Sequence, residues 1–259
     1  VLLVALGSLK ADSELLDGLM PILSDSREVI DWNLLPLYPT LKHYQEILFH
    51  TPQFFTVFFN SVKIAGTILL GQLVVAVPAA WAFARLDFRF KKPVFITYIV
   101  LMLMPFQITM LPNYLVLNGM KLLNTHASVI LPAIFSTFPV FIIYRSFCDI
   151  PGSLIEAARI DGAGNFTVFF RIGIPLGSSG ILSAMTLGFL NYWNMVEQPL
   201  AFLQDKSLWP LSLYLPEIDV RHAGLAFGAS VITLIPAVFV FMMGQEYLEQ
   251  GIVAAGIKE

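Results

Sequence analysis

Long apolar runs alternate with short charged stretches along this chain. Residues 64–84, 93–120, 127–144 and 224–244 carry no charge, and residues 176–199 carry only Glu197. Each run is near the ~20 residues that a helix needs to cross a hydrocarbon layer of ~30 Å. Residues 1–9 are apolar but too short to cross, and they lack the basic lead-in of a signal peptide. They read as the end of a first transmembrane helix. The runs are continuous, unlike the ~10-residue alternating segments of a membrane β-barrel. The pattern therefore predicts an all-α polytopic transmembrane helical bundle of six spans, the first represented only by its end.

The polar stretches complete the division. Residues 10–56 hold Asp12, Glu14, Asp17, Asp25, Glu28, Asp31 and Glu46 against Lys10, Arg27 and Lys42. They read as an extracytoplasmic loop. Within it Leu41, Tyr44, Ile47 and Leu48 fall at helical spacing, which predicts an interfacial amphipathic helix. His43 and His50 lie there with neither a carboxylate nor a cysteine to complete a ligand set, so both are expected on the surface. Arg85, Arg89, Lys91, Lys92, Arg145, Arg159 and Arg171 cluster around the proposed inner loops, while the short turn at residues 121–126 has only Lys121. The bias puts the first group in the cytoplasm. A permease-like core then spans residues 57–247, and residues 248–259 form a cytoplasmic tail.

Composition agrees. The chain has 259 residues, 57% apolar and 13% charged, and its mean hydropathy is +0.75. A net charge of −3 leaves no basic footprint for nucleic acid. The single cysteine, Cys148, excludes a disulfide framework and a cysteine-based metal site.

One polar insert departs from the membrane pattern. Residues 149–175 lie between two spans and contain SLIEAARIDGAGNFTVFFRIG. Glu156, Arg159 and Asp161 would each cost roughly 2.5–3.5 kcal/mol at a bilayer centre, so the insert belongs in water. Pro151-Gly152 interrupts the preceding helix. Ser153 and Glu156 have capping-box spacing. Ala157 and Ala158 favour helix, and Gly162 suits a left-handed C-terminal cap. The expectation is a helix of about eight residues, ~12 Å long, with a small-residue surface flanked by charges. A second short helix is expected after Asn165, with Phe166, Phe169 and Phe170 on one side. Pro175 should open the fifth span.

The string EAARIDGA, followed by IPL at residues 174–176, resembles the EAA motif of ABC importer permeases, and most closely the carbohydrate-uptake branch related to maltose permeases. Similar family-like segments occur at PTLKHYQEILFHTPQFFTVFFNS, AAWAFARLDFRFKK, MPFQITMLPNYLVL, FLNYWNMVEQPL and GIVAAGIK, so the resemblance covers residues 39–259. It departs from the family at Glu197-Gln198, where an apolar pair is usual.

The resemblance implies a type I importer permease fold and a multi-pass subunit of a bacterial plasma membrane. It implies a second permease subunit as heterodimer partner, two ATPase subunits that hold ATP and Mg, an extracytoplasmic solute-binding protein and a carbohydrate substrate, all assembled in membrane lipid. Glu156, Ala157, Ala158, Arg159, Asp161 and Gly162 would form the ATPase-coupling helix, and the tail would reach the ATPase interface. For Phe106, Gln107 and Met110 a pathway-lining kink and simple helix packing both stay open. For Asn191, Trp193, Asn194 and Glu197 there are likewise two readings: groups that meet a sugar's C–H faces and hydroxyls, or an interfacial aromatic belt with a snorkelling acid.

No GxxxxGK[ST] run is present, so the chain has no phosphate-binding loop of that kind. HExxH and GxSxG are absent as well, leaving no support for an intramembrane hydrolase. The expected role is transport, not catalysis. The alternatives are an ion-coupled secondary sugar transporter, for which Glu197 is the single buried-acid candidate, and a non-transporting assembly subunit.

Overall fold

A computed structural model describes residues 1–23, 33–215 and 222–256. Asp25, Arg27, Glu28 and Asp31 of the proposed extracytoplasmic loop, and residues 257–259 of the proposed tail, lie outside the described residues. The elements are α1 (Leu2–Gly7), α2 (Asp12–Leu23), α3 (Lys42–Gln45), a π-turn (Glu46–His50), α4 (Pro52–Arg85), α5 (Lys91–Met102), α6 (Phe106–Gly119), α7 (His126–Ile134), α8 (Thr137–Cys148) and α9 (Gly152–Ile160). There follow α10 (Asn165–Val168), a second π-turn (Phe169–Gly173), α11 (Ile174–Leu176), α12 (Ser178–Trp193), α13 (Glu197–Phe202), a 3₁₀ turn (Lys206–Leu208), α14 (Leu211–Tyr214) and α15 (Ala223–Gly256). Among the described residues there is no strand, as the apolar pattern requires.

Three stretches are long and apolar enough to cross a membrane: α4, His126–Cys148 and Ala223–Glu249. Two bent pairs raise the number to five if each counts as one span: α5 with α6, bent by 104°, and α10–α11 with α12, bent by 67°. These five match the predicted runs. The breaks have local causes. Met104 precedes Pro105, which stands in extended conformation at the N-cap of α6 and disfavours helix at Met104. Pro139 lies in the first turn of α8 and cannot donate to the Phe135 carbonyl, so the fourth span breaks at residues 135–136.

The chain divides into two compact units. The first comprises Val1–Lys63 and Gln204–Val238. Here the expected amphipathic helix runs from Lys42 to His50, as the short α3 continued by one π-helical turn. Ile47 is buried, while Leu41 and Leu48 face outward. His43, expected on the surface, is only 1% exposed. Its Nε2 lies 2.9 Å from the Lys10 carbonyl and 3.6 Å from Asp12 Oδ1, and Gly224 packs directly on the imidazole. The polar residues around it explain the reversal. Lys42 pairs with Asp12 at 3.1 Å, Lys10 pairs with Glu14 at 3.3 Å, and the Thr40 N–H donates to the Leu9 carbonyl at 2.8 Å. A histidine between two such strips is covered by them, which sequence spacing does not reveal. Elsewhere in this unit Asn60 donates to the carbonyls of Ser207 and Trp209. The Ser61 hydroxyl accepts the Leu211 N–H at 2.8 Å. The Ser207 N–H, 2.8 Å from Asp205 Oδ1, holds that carboxyl below the ordinary carboxylate range.

The second unit comprises Ile64–Leu203 and Phe239–Glu259. Its core joins Ala76, Val77, Ala80, Trp81 and Phe83 of α4 to Val140, Ile143 and Phe147 of α8, Ile155 of α9, Val168 and Phe169 of the following turn, and Ile181 and Ala184 of α12. Trp81 is the hub. It meets Phe147 edge-on at 5.2 Å and Phe169 at 5.6 Å. A Cβ on Gly173 would stand 2.6 Å from the Trp81 ring. Small residues set the other crossings too: Gly177 lies against Phe147, Gly180 against Ser146 and Gly244 against Thr186. Lipid gives helices little hydrophobic reason to associate, so close approach at small residues supplies the packing.

At the end of α4, Arg85 donates to the carbonyls of Phe147 at 2.6 Å, Cys148 at 3.5 Å and Ile150. One guanidinium thereby covers the free carbonyl end of α8 and the loop into α9.

Gly244→Val pushes a branched side chain into Thr186 and is expected to cost about 1–3 kcal/mol, read as a lower thermal midpoint in detergent. Gly66→Ala, at a glycine with nothing within 4 Å, should leave the midpoint unchanged or raised. Arg85→Ala removes charge-assisted bonds each worth about 1.5–3 kcal/mol. Amide exchange at residues 149–160 should quicken, with Arg85→Lys intermediate because it lacks the planar fork. Unchanged exchange in Arg85→Ala would contradict the clasp.

Candidate functional site

The polar insert forms α9 and the turns after it. The helix is nine residues long and begins at Gly152, one residue before the expected cap. Pro151 occupies the N-cap at φ −58 and ψ 130, and no side chain caps the helix. Ser153 therefore sits inside the first turn, and the Ser153–Glu156 capping box is not formed. The other end agrees with expectation. Gly162 has φ +83, its N–H reaches the Arg159 carbonyl at 3.0 Å, and the Ala163 N–H reaches the Ala158 carbonyl at 2.9 Å. These two bonds make a Schellman motif.

Within α9 only Ile155 is buried, at 6% exposure in the core of the second unit. Ala158 is partly covered, and Glu156, Ala157, Arg159, Asp161 and Gly162 are exposed. Arg159 reaches Asn165 Oδ1 at 3.4 Å. Leu154 and Ile160 are exposed as well, Ile160 at 85%. The three phenylalanines do not share a side. Phe169 is buried beside Trp81, while Phe166 and Phe170 stand exposed, because the π-turn at Phe169–Gly173 shifts the helical register. Pro175 falls in the short α11, and α12 starts only at Ser178.

The residues of the third and fifth spans come together in part. Gln107 Nε2 donates to Glu197 Oε1 at 2.8 Å. Phe106 meets Phe202 edge-on at 6.1 Å. Met110 is exposed on α6. The fifth span breaks at residues 194–196, so Glu197 opens the new helix α13, where a carboxylate complements the free N–H groups. Asn194 is spent on its own helix, donating to the Leu190 carbonyl at 2.9 Å, and Asn191 is exposed. Trp193 departs from the expectation of a ring open to ligand. It is 2% exposed and stacked on Phe189 at 5.3 Å. Its neighbour one turn earlier supplies the apolar face that a sugar would have met.

Gln72, Trp81 and Arg85 do structural work at this site and were not singled out by sequence. Gln72 carried a usable signal, as an amide inside an apolar span. Trp81 and Arg85 read only as part of a span and of a basic run. Among the described residues, no group of three histidine, cysteine or acidic side chains is placed to hold a metal.

Comparison with known proteins bears on the family and the fold. Residues 72–254 match the family model described as binding-protein-dependent transport system inner membrane component. The arabinooligosaccharides transport system permease protein AraQ of Halalkalibacterium halodurans is 30% identical over 85% of this chain and 80% of its own length. AraQ of Bacillus subtilis is 27% identical over 98% of this chain and 88% of its own. In fold, the chain is similar to the crystal structure of a bacterial ABC transporter involved in the import of the acidic polysaccharide alginate, with a TM-score of 0.78, 20% identity, and 95% of this chain and 89% of that one covered. With the family model matching more than two thirds of its length, this chain belongs to the inner membrane components of binding-protein-dependent transport systems.

Proposed function

We propose that this chain is one of two permease subunits, paired as a heterodimer, of an ATP-driven importer that carries a sugar or oligosaccharide delivered by an extracytoplasmic solute-binding protein. The observation that carries the reading is α9. It exposes Glu156, Ala157, Arg159 and Asp161 and sinks Ile155 into the transmembrane core. A partner that seats on the exposed side moves the core through Ile155 and through the Arg85 clasp. Two ATPase subunits are the partners of that chemistry. ATP and Mg would belong to them, since this chain has no phosphate-binding loop.

Glu156 would meet a basic group in the ATPase groove, Ala157 and Ala158 would permit close approach, and Gly162 closes the helix in the turn the contact needs. The family model supports the importer class, and the arabinooligosaccharide permeases among its relatives support a carbohydrate cargo. On the pathway, Gln107 and Glu197 offer donors and acceptors suited to sugar hydroxyls, with Phe106 and Met110 on the same helix as Gln107 and Asn191 near the end of α12. The deciding experiment is to isolate the complex through a tag on this chain and identify by mass spectrometry what its binding protein holds. An oligosaccharide or small sugar is expected. Uptake that persists on an ion gradient without any ATPase subunit would instead favour a secondary transporter.

Two substitutions test the roles. Glu156→Lys puts a cation against a basic groove, and it should abolish ATPase association and uptake while leaving the chain in the membrane. Wild-type uptake with intact association would sink the contact. Glu197→Ala should raise the transport KM about tenfold, equivalent to ~1.4 kcal/mol, and Asn194→Ala should change it less because that amide is engaged in its own helix. An unaltered KM and substrate range in Glu197→Ala would remove the residue from the pathway.

A further inference from the structure

Gln72 sits midway along α4 at 1% exposure. Its Nε2 donates twice, to the Ala133 carbonyl at 2.8 Å and to the Tyr192 hydroxyl oxygen at 2.7 Å. Ala133 lies just before the break in the fourth span, and Tyr192 just before the break in the fifth. Gly188 brings α12 close, so that a Cβ there would stand 3.0 Å from Leu69 Cδ2 and 3.6 Å from Gln72 Oε1. Among the described residues, Oε1 itself is buried without a donor.

An amide in an apolar bundle is costly unless bonded, and this one uses both donors while its acceptor stands idle. We propose that Gln72 is a positioning residue, a two-state pin that joins the breaks of the fourth and fifth spans and, through Tyr192, sets where Glu197 stands against Gln107. In the present arrangement the amide donates to Ala133 and Tyr192. When the fifth span turns against the fourth, the Tyr192 O–H turns to donate to the idle Oε1; one amide N–H keeps Ala133 and the other gives up Tyr192. The exchange trades one hydrogen bond for another, so two arrangements of similar energy become available, which alternating access requires. The inference rests on the permease reading.

The test uses the whole complex isolated with its own partner subunits, in a Cys148→Ser background. Spin labels are placed at Leu103→Cys and Leu200→Cys, both exposed positions flanking the Gln107–Glu197 contact. The distance between them is measured with and without ATP and vanadate. The unsubstituted pin should show two populations whose ratio changes with nucleotide. Gln72→Leu, similar in volume and without hydrogen bonds, should cut the nucleotide-dependent change at least tenfold. Tyr192→Phe should cut it severalfold, and the double variant should be no worse than Gln72→Leu, since both act through one bond. Normal switching in Gln72→Leu, or additive losses in the double variant, overturns the pin. If Gln72→Leu does not assemble, Tyr192→Phe decides, as loss of one hydroxyl leaves the packing in place. A complex with the pin intact that shows no change with nucleotide overturns the permease reading, and the inference with it.

Discussion

The constraint on which this structure depends is that backbone groups inside hydrocarbon need partners. An unbroken helix meets that demand internally, but this chain breaks three of its spans. Each break or helix end leaves carbonyls without helical partners, and a donor from another segment covers several of them. Gln72 covers Ala133. Arg85 covers Phe147 and Ile150. The Asn124 N–H covers Phe202 at 2.9 Å. These bonds run between segments distant in sequence, so the patches also fix how the segments stand to one another. The bundle is tied at the places where it is interrupted.

Packing alone would not specify the same arrangement. Apolar side chains gain little by leaving lipid for one another, so the contacts that hold depend on fit. Trp81 fits because Gly173 has no side chain beneath it and because Phe147 offers its edge. That one ring joins α4, α8 and the turn after α9. The segment of α9 and the turns after it is thus held to the spans by an aromatic contact, by the buried Ile155 and by the Arg85 clasp, while its remaining surface stays open. A segment held on one side and open on the other is suited to passing on force.

Much of this was legible in the sequence, and what was not has a common cause. The spans could be read because twenty apolar residues have few other uses. The end of α9 could be read because Gly162 is one of the few residue choices for φ +83. Its start could not, because Ser-x-x-Glu spacing competes with Pro151, and a proline in extended conformation takes the N-cap without help. His43 reads as a loop residue, yet it is buried by Lys10, Asp12 and Gly224, which lie far away in sequence. Trp193 reads as an open aromatic until Phe189 covers it. The function class was carried by the EAA string, whereas the Gln107–Glu197 contact needed the break at residues 194–196, which Pro199 marks only once α13 is known to start at Glu197.

That break shows why rigidity and motion can share one helix. Above it, Trp193 stacks on Phe189 and Tyr192 bonds Gln72, so the end of α12 is fixed. Below it, Glu197 starts a short helix and reaches Gln107 from an exposed position. Three residues separate a buried aromatic anchor from an exposed carboxylate. The anchor is held by its ring and its hydroxyl, the carboxylate by one hydrogen bond to Gln107, and because residues 194–196 form no helix the orientation of α13 is not dictated by that of α12.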